Sequence, residues 1–178
     1  MSNVTIEFAT PTDMPGIWQL YETVWIQTYP NEAAGISVEA IVKYLAWERL
    51  GMTQRWQSAI EQPGDISNNQ RAVFVARNSN KLVGIISPKV NDDGTHRLTS
   101  LYVAPEARGN GVGSKLIERV LEWHEDNDTY LFVVPYLEDA QRLYEKYGFG
   151  FVEAPLMFFE NSPVSYLTMM RPADGDVN

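Results

Sequence analysis

The segment HRLTSLYVAPEARGNGVGSKLIERVLEW, residues 96–123, constrains the fold more than any other stretch of this chain. It opens as a β-rich run that Pro105 ends. It passes through Gly109, Gly111 and Gly113, three glycines in five residues, and continues as a helix with Val112, Leu116, Ile117, Val120 and Leu121 on one apolar stripe. A glycine inside a helix costs about 0.5–1 kcal/mol relative to alanine, so three at a helix start call for a reason beyond helix formation. The first turn of a helix carries unpaired N–H groups and a partial positive charge. Glycines let backbone approach a ligand closely and adopt left-handed angles. Strand, glycine turn and helix together make an anion seat, and a phosphate group suits it best.

The hydrophobic period around this segment defines the remaining elements. Val4–Thr10 alternates as a half-buried strand. A helix follows, with Asp13 as its expected N-cap, Pro15 soon after, and Ile17, Leu20, Tyr21 and Val24 on one face. A second helical region begins at Ile36, with Ser37 as cap and Glu39 in the first turn. Pro63–Gln70 reads as a loop. RAVFVARN and KLVGIISPKV form a hairpin, Asp92–Gly94 a turn, and HRLTSLYVAP the next strand. A helix is expected over Val112–Asp126. TYLFVV follows as a central strand, then a short helix in EDAQRLYEKYGF ended by Gly148. FGFVEAPLMFF and VSYLTMMRP are expected as closing strands and ADGDVN as a frayed tail. The order is that of one mixed α/β domain spanning residues 1–178, with a core of about 4–171 and a tail at 172–178.

Composition narrows the function classes. The chain of 178 residues has a net charge of −9, which disfavours binding to nucleic acid or to an anionic membrane; it would attract a cationic partner, with solubility as the alternative reading of the charge. It has no cysteine, which removes disulfides, thiolate metal sites and cysteine nucleophiles. No apolar run approaches the roughly 18 residues of a membrane span, and the N-terminus lacks the pattern of a secretory signal, so a cytoplasmic protein is expected. The two histidines lie far apart in sequence, and no metal site is expected. No GxSxG elbow is present, which argues against a serine hydrolase.

Three phosphate-binding patterns can be compared with the glycine segment. The dinucleotide fingerprint GxGxxG fails in both registers, meeting Ser114 or Leu116 where glycine is required. The P-loop pattern fails because Gly109 and Gly113 are one residue too close and Ser114 precedes Lys115. The pattern [RQ]xxGx[GA] fits RGNGVG through Arg108, Gly111 and Gly113. This segment resembles the pyrophosphate loop of the GNAT superfamily of N-acetyltransferases, and AQRLYEKYGF resembles that family's second signature, AxxxYxKxGF. The order of elements is similar from Val4 to Arg171.

The resemblance implies a GNAT-like fold, a central, mostly antiparallel mixed sheet flanked by helices. It also implies an enzyme that moves an acetyl group from acetyl-CoA to a primary amine in a ternary complex. Backbone N–H groups of Arg108, Gly109, Asn110, Gly111, Val112, Gly113 and Ser114 would bind the pyrophosphate. Leu101, Tyr102 and Val103 would pair with the pantetheine arm, with the Val103 N–H facing the acetyl carbonyl as oxyanion donor. Tyr144 would be the general acid and a contact to the donor. A phenol stays protonated at neutral pH and can donate to a departing thiolate. The packing alternative for Tyr144 is a helix face shared with Ala140 and Leu143. Leu137 stands where the family often has Asn, which removes one contact to the donor arm. Lys115 and Arg119 are close enough in sequence to add charge on one helix face.

The general base has no clear signature. His96 is a candidate, for which a surface position at a loop edge is expected; Glu22 and Tyr29, near the end of the first helix, lie where the resemblance implies the acceptor site, with packing or solvent exposure as the alternative. A water relay to a distant carboxylate is an alternative. His124 and Asp128 form an HxxxD by chance. The aromatics of the first two helices could wall an acceptor pocket, with core the expected place of Trp18 and Trp47. The acceptor is expected to be a small amine, with polyamines or other cationic amines favoured by the net charge. A protein or peptide N-terminus, or a non-catalytic acyl-CoA-binding module, are the alternatives. A monomer or homodimer is expected.

Overall fold

The computed structural model describes residues 4–62 and 71–173. The expected loop at Pro63–Gln70 and most of the tail lie outside the described residues. The elements are β1 (Val4–Phe8), α1 (Met14–Thr28), α2 (Val38–Glu61), β2 (Phe74–Asn78), β3 (Lys81–Val90), β4 (His96–Val103), α3 (Val112–His124), β5 (Thr129–Val133), α4 (Glu138–Glu145), β6 (Gly150–Phe151), β7 (Met157–Phe158) and β8 (Ser165–Arg171). The sheet runs β1-β2-β3-β4-β5-β8-β6, with β7 also on β8. Only the β4–β5 step is parallel. The fold is the mixed, mostly antiparallel sheet flanked by helices that the sequence implied.

The two faces of β4 show how the layers are arranged. The Tyr102 hydroxyl accepts a hydrogen bond from Trp25 Nε1 of α1 at 3.1 Å. The neighbouring Val103 side chain lies beside the start of α3. Successive residues of a strand face opposite sides, so α1 and α3 cover opposite faces of the sheet. α2 packs on α1 through rings, with Trp18 and Trp56 centroids 6.1 Å apart and Trp25 and Tyr44 5.0 Å apart. The expected apolar faces hold: Ile17, Leu20, Tyr21 and Val24 of α1 are buried, as are Val112, Leu116, Ile117 and Val120 of α3.

Several expectations are corrected. Asp13 does not cap α1 with its side chain. Its carboxylate reaches back to the Thr10 N–H at 2.8 Å and to the Thr10 hydroxyl at 2.9 Å, and it pairs with Arg77. Burial raises the Asp13 pKa, but these partners outweigh it and leave the carboxyl below its ordinary value. α3 ends at His124, two residues early, because Glu125 turns to φ +54°. The expected strand FGFVEAPLMFF is instead two two-residue strands, β6 and β7, separated by an irregular segment containing Pro155. Trp47 is not core: it is 48% exposed, because it falls off the buried stripe of Ile41, Tyr44 and Leu45 on α2. Trp18 is buried as expected.

Candidate active site

The site begins with a break in the sheet. β4 and β5 pair only at His96↔Thr129 and Arg97↔Tyr130, so the remaining residues of both strands diverge. The cause lies on the other edge of β4. Between Ser87↔Thr99 and Ile85↔Tyr102, two steps on β3 face three on β4. The extra residue is accommodated at Ser100, which takes φ +55°. Such a bulge bends and twists the strand that carries it, and here it turns the second half of β4 away from β5.

Past the bulge, the backbone alternation assigns directions. The Ala104 N–H donates to the Val83 carbonyl at 2.9 Å. Alternate residues of an antiparallel pair bond across the ladder. Tyr102, paired with Ile85, therefore turns its backbone to β3, whereas Val103 turns its N–H and carbonyl to the gap. The Val103 carbonyl accepts from Arg108 Nε at 3.2 Å. Leu101 has the same parity as Val103. Of the three β4 residues named from sequence, Leu101 and Val103 offer backbone to the gap. Tyr102 contributes its side chain to the opposite layer.

The glycine segment lies at the end of this gap. Gly109 and Gly111 have φ +73° and +78°, and a Cβ on either would meet open space. Gly111 is the N-cap of α3, and its carbonyl accepts from the Lys115 N–H at 3.1 Å. The N–H groups of Val112, Gly113 and Ser114 fall in the first turn, before intrahelical partners are available. Gly113 has a different task from Gly111. A Cβ there would stand 3.1 Å from Leu143 Cδ2 and 3.9 Å from Val103 Cγ2, so glycine lets α3, α4 and β4 meet. Asn110 Nδ2 donates to the Arg108 carbonyl at 3.0 Å. The Ser114 hydroxyl bonds Tyr147, which in turn donates to Glu118 at 2.7 Å. Lys115 and Arg119 share a helix face, but it is turned to the β1 edge. Lys115 Nζ donates to the Val4 carbonyl at 3.0 Å, and Arg119 stacks over Phe74 at 4.5 Å.

The end of α1 spans the gap. Arg108 Nη2 donates to Thr28 Oγ1 at 3.0 Å from the β4 side. The Tyr136 hydroxyl donates to the Tyr29 carbonyl at 2.6 Å from the β5 side. Tyr29 stacks on Trp25 with centroids 4.2 Å apart. Tyr144, in the last turn of α4, is 7% exposed and packs edge-on to Phe149. Burial pushes its phenol well above the ordinary value, so it stays protonated throughout the neutral range. Tyr44 of α2 approaches the same place, its ring 5.0 Å from that of Trp25. Tyr29, Tyr44 and Tyr136, from the end of α1, from α2 and from the turn after β5, thus come together at one end of the gap. The sequence singles out Tyr29 and Tyr144, and Tyr44 among the aromatics of the first two helices, but not Tyr136 or Tyr166, which belong to no motif.

The remaining candidates take other places or other roles. Glu22 is paired with Arg49 at 3.6 Å. Burial raises the Tyr29 pKa, which makes it a hydrogen-bond donor rather than a base. His96 is the first residue of β4, at the far end from Val103, and it is not the surface histidine expected. Its ring stands edge-on to His124 at 5.0 Å. His124 is buried and shares a hydrogen bond with Thr129 at 3.0 Å. Asp128 accepts from the Ala173 N–H at 2.9 Å, so both members of the HxxxD have structural partners. Leu137 caps α4 without a side-chain bond, and Gln141 donates to the Val134 and Pro135 carbonyls at 3.2 and 2.8 Å. Among the described residues, no group of three His, Asp or Glu side chains is arranged to hold a metal ion, and no helix is long and apolar enough to cross a membrane.

A splayed parallel pair followed by a glycine-started helix can be compared with known proteins. Residues 37–149 match the model of the acetyltransferase (GNAT) family. The chain belongs to that family. A probable N-acetyltransferase of Mycobacterium tuberculosis is 23% identical over 150 residues, which cover 83% of this chain and 80% of that protein. Among solved structures, the PaiA N-acetyltransferase of Thermoplasma acidophilum, in complex with coenzyme A, superposes with a TM-score of 0.71 at 19% identity. The match covers 96% of this chain and 99% of that one. YncA of Salmonella typhimurium, a putative acetyltransferase with acetyl-CoA, gives 0.65 at 19% identity over 99% and 98% of the two chains. The GNAT resemblance read from RGNGVG and AQRLYEKYGF therefore holds, and this GNAT chain is an acetyltransferase.

Proposed function

We propose that this acetyltransferase moves the acetyl group of acetyl-CoA to a small primary amine, with cationic amines preferred. The observation that carries the reading is the Val103 N–H facing the β4–β5 gap, with the first turn of α3 at the end of that gap. The pyrophosphate would rest on the N–H groups of residues 108–114. The pantetheine arm would lie against Leu101 and Val103. The acetyl carbonyl would then accept from the Val103 N–H. Positioning of this kind contributes on the order of 7–11 kcal/mol in well-oriented cases, and one oxyanion donor is worth roughly 10²–10³ in rate.

In the reaction, the neutral amine attacks the thioester carbon and a C–N bond forms. Negative charge on the carbonyl oxygen falls to the Val103 N–H. The C–S bond then breaks, the thiolate takes the Tyr144 proton, and the new amide nitrogen loses its extra proton to solvent, from which Tyr144 is reprotonated. The products are an N-acetyl amine and the free thiol of CoA. The net charge of −9 supports a cationic acceptor. The test is thiol release from acetyl-CoA with a panel of amines. Turnover of small amines supports the reading, and tight acetyl-CoA binding with no turnover on any amine contradicts it.

One observation favours a second acceptor class. Leu156, Phe158 and Phe159 around β7 are 43%, 69% and 42% exposed, an apolar rim that a peptide N-terminus would cover. Peptides included in the same panel distinguish the two.

A further inference from the structure

Trp47 and Glu48 stand at i+3 and i+4 from Tyr44 on α2, one on either side of the Tyr44 ring. The Tyr44 ring lies 6.0 Å from Trp47 and 5.0 Å from Trp25. Trp47 is 48% exposed, a large aromatic surface left open beside a carboxylate whose side chain is only 11% exposed. Glu48 lies one turn on from Tyr44, and the Tyr44 ring leads through Trp25 to Tyr29 at the end of the gap, with centroid distances of 5.0 and 4.2 Å. Glu48 is paired with Arg55, whose side chain is 45% exposed. The pair opens to solvent on the Arg55 side, so another cation can take the place of Arg55 on the carboxylate. A carboxylate flanked by aromatic faces holds an ammonium group through charge and cation–π attraction together.

We propose that Glu48, with Tyr44 and Trp47 beside it, binds a second ammonium group of the acceptor, and that Arg55 occupies this carboxylate when no acceptor is bound. This rests on the acetyltransferase reading above and narrows it: the acceptor is an amine with a further cationic centre, a diamine or polyamine. It also explains the exposure of Trp47, which the core of α1 and α2 does not use. Arg55 is a competitor of the substrate, so removing it and removing Glu48 have opposite effects. A purely structural ion pair would make both changes act in the same direction.

The experiment is steady-state kinetics with acetyl-CoA and two acceptors, an α,ω-diamine and the n-alkyl monoamine of the same length. In Glu48→Gln, the KM for the diamine rises about tenfold, whereas the KM values for the monoamine and for acetyl-CoA stay as in the wild type. In Arg55→Gln, the KM for the diamine falls. An unchanged ratio of diamine to monoamine kcat/KM in Glu48→Gln, or a rise in the diamine KM in both variants, overturns the proposal and leaves the acetyltransferase reading standing. A wild-type enzyme that acetylates peptides but neither amine overturns both this proposal and the small-amine reading.

Discussion

Tyr144 and His124 are both buried ring residues, and their pKa shifts have different consequences. The Tyr144 phenol is held protonated by burial, as a proton donor to a thiolate must be. General acids contribute typically 10²–10⁴ in rate. Tyr144→Phe is expected to lower kcat about a hundredfold with little change in the KM for acetyl-CoA, as read from thiol release. An unchanged kcat would remove the residue from the mechanism. For His124, burial first and the neighbouring His96 second depress the pKa to about 3 from an ordinary 6.5. The His96 pKa is lowered by burial too, against the opposing charge of Glu125. A neutral, buried histidine contributes stability that is complete above its unfolded pKa of about 6.5 and is lost as the pH falls below it. Urea unfolding is expected to show a loss of roughly 2–3 kcal/mol between about pH 7 and about pH 4.5. Much of that slope should disappear in His124→Gln. An equal slope in the variant would place the acid sensitivity elsewhere.

The elements around the gap show what the sequence could and could not reveal. The β4–loop–α3 unit was legible because its chemistry is local: a strand, Pro105, left-handed glycines and a helix stripe follow one another within one segment. The separate tasks of the glycines were not legible. Gly111 is needed for its backbone angle, whereas Gly113 is needed because Leu143, thirty positions further on, comes to 3.1 Å of its missing Cβ. Gly113→Val is expected to push α4 from α3, lowering stability by about 1–3 kcal/mol and raising the KM for acetyl-CoA. A variant with wild-type KM and unchanged thermal midpoint would contradict the close approach. The bulge at Ser100 had no sequence signal, because nothing in HRLTSLYV marks where a strand will accept an extra residue. Trp47 was misplaced for a related reason: an aromatic within a helix looks like core until its angle to the buried stripe is known.

Over the full chain, the fold class and the strand–loop–helix unit could be read in advance, but the grouping of side chains at the end of the gap could not. Tyr29, Tyr44 and Tyr136 come from segments more than a hundred residues apart, and Glu48 belongs to no motif. Only the folded chain assembles them. A donor seated in the gap as proposed would tie its binding to stability, because α1, β4 and α3 border the gap. Acetyl-CoA at about 100 times its Kd should stabilise the native state by about 2.7 kcal/mol, a rise of roughly 5–10 °C in Tm for a chain of this length. The most direct measurement is calorimetric titration of acetyl-CoA into the wild type and Gly111→Glu, with circular dichroism to show that both are folded. A carboxylate at that N-cap puts bulk and like charge where the pyrophosphate is expected to sit. The expected result is tight binding to the wild type and an affinity at least about a hundredfold weaker in the variant, equivalent to about 2.7 kcal/mol. Equal affinities in two folded proteins would mean that the donor does not rest on the first turn of α3.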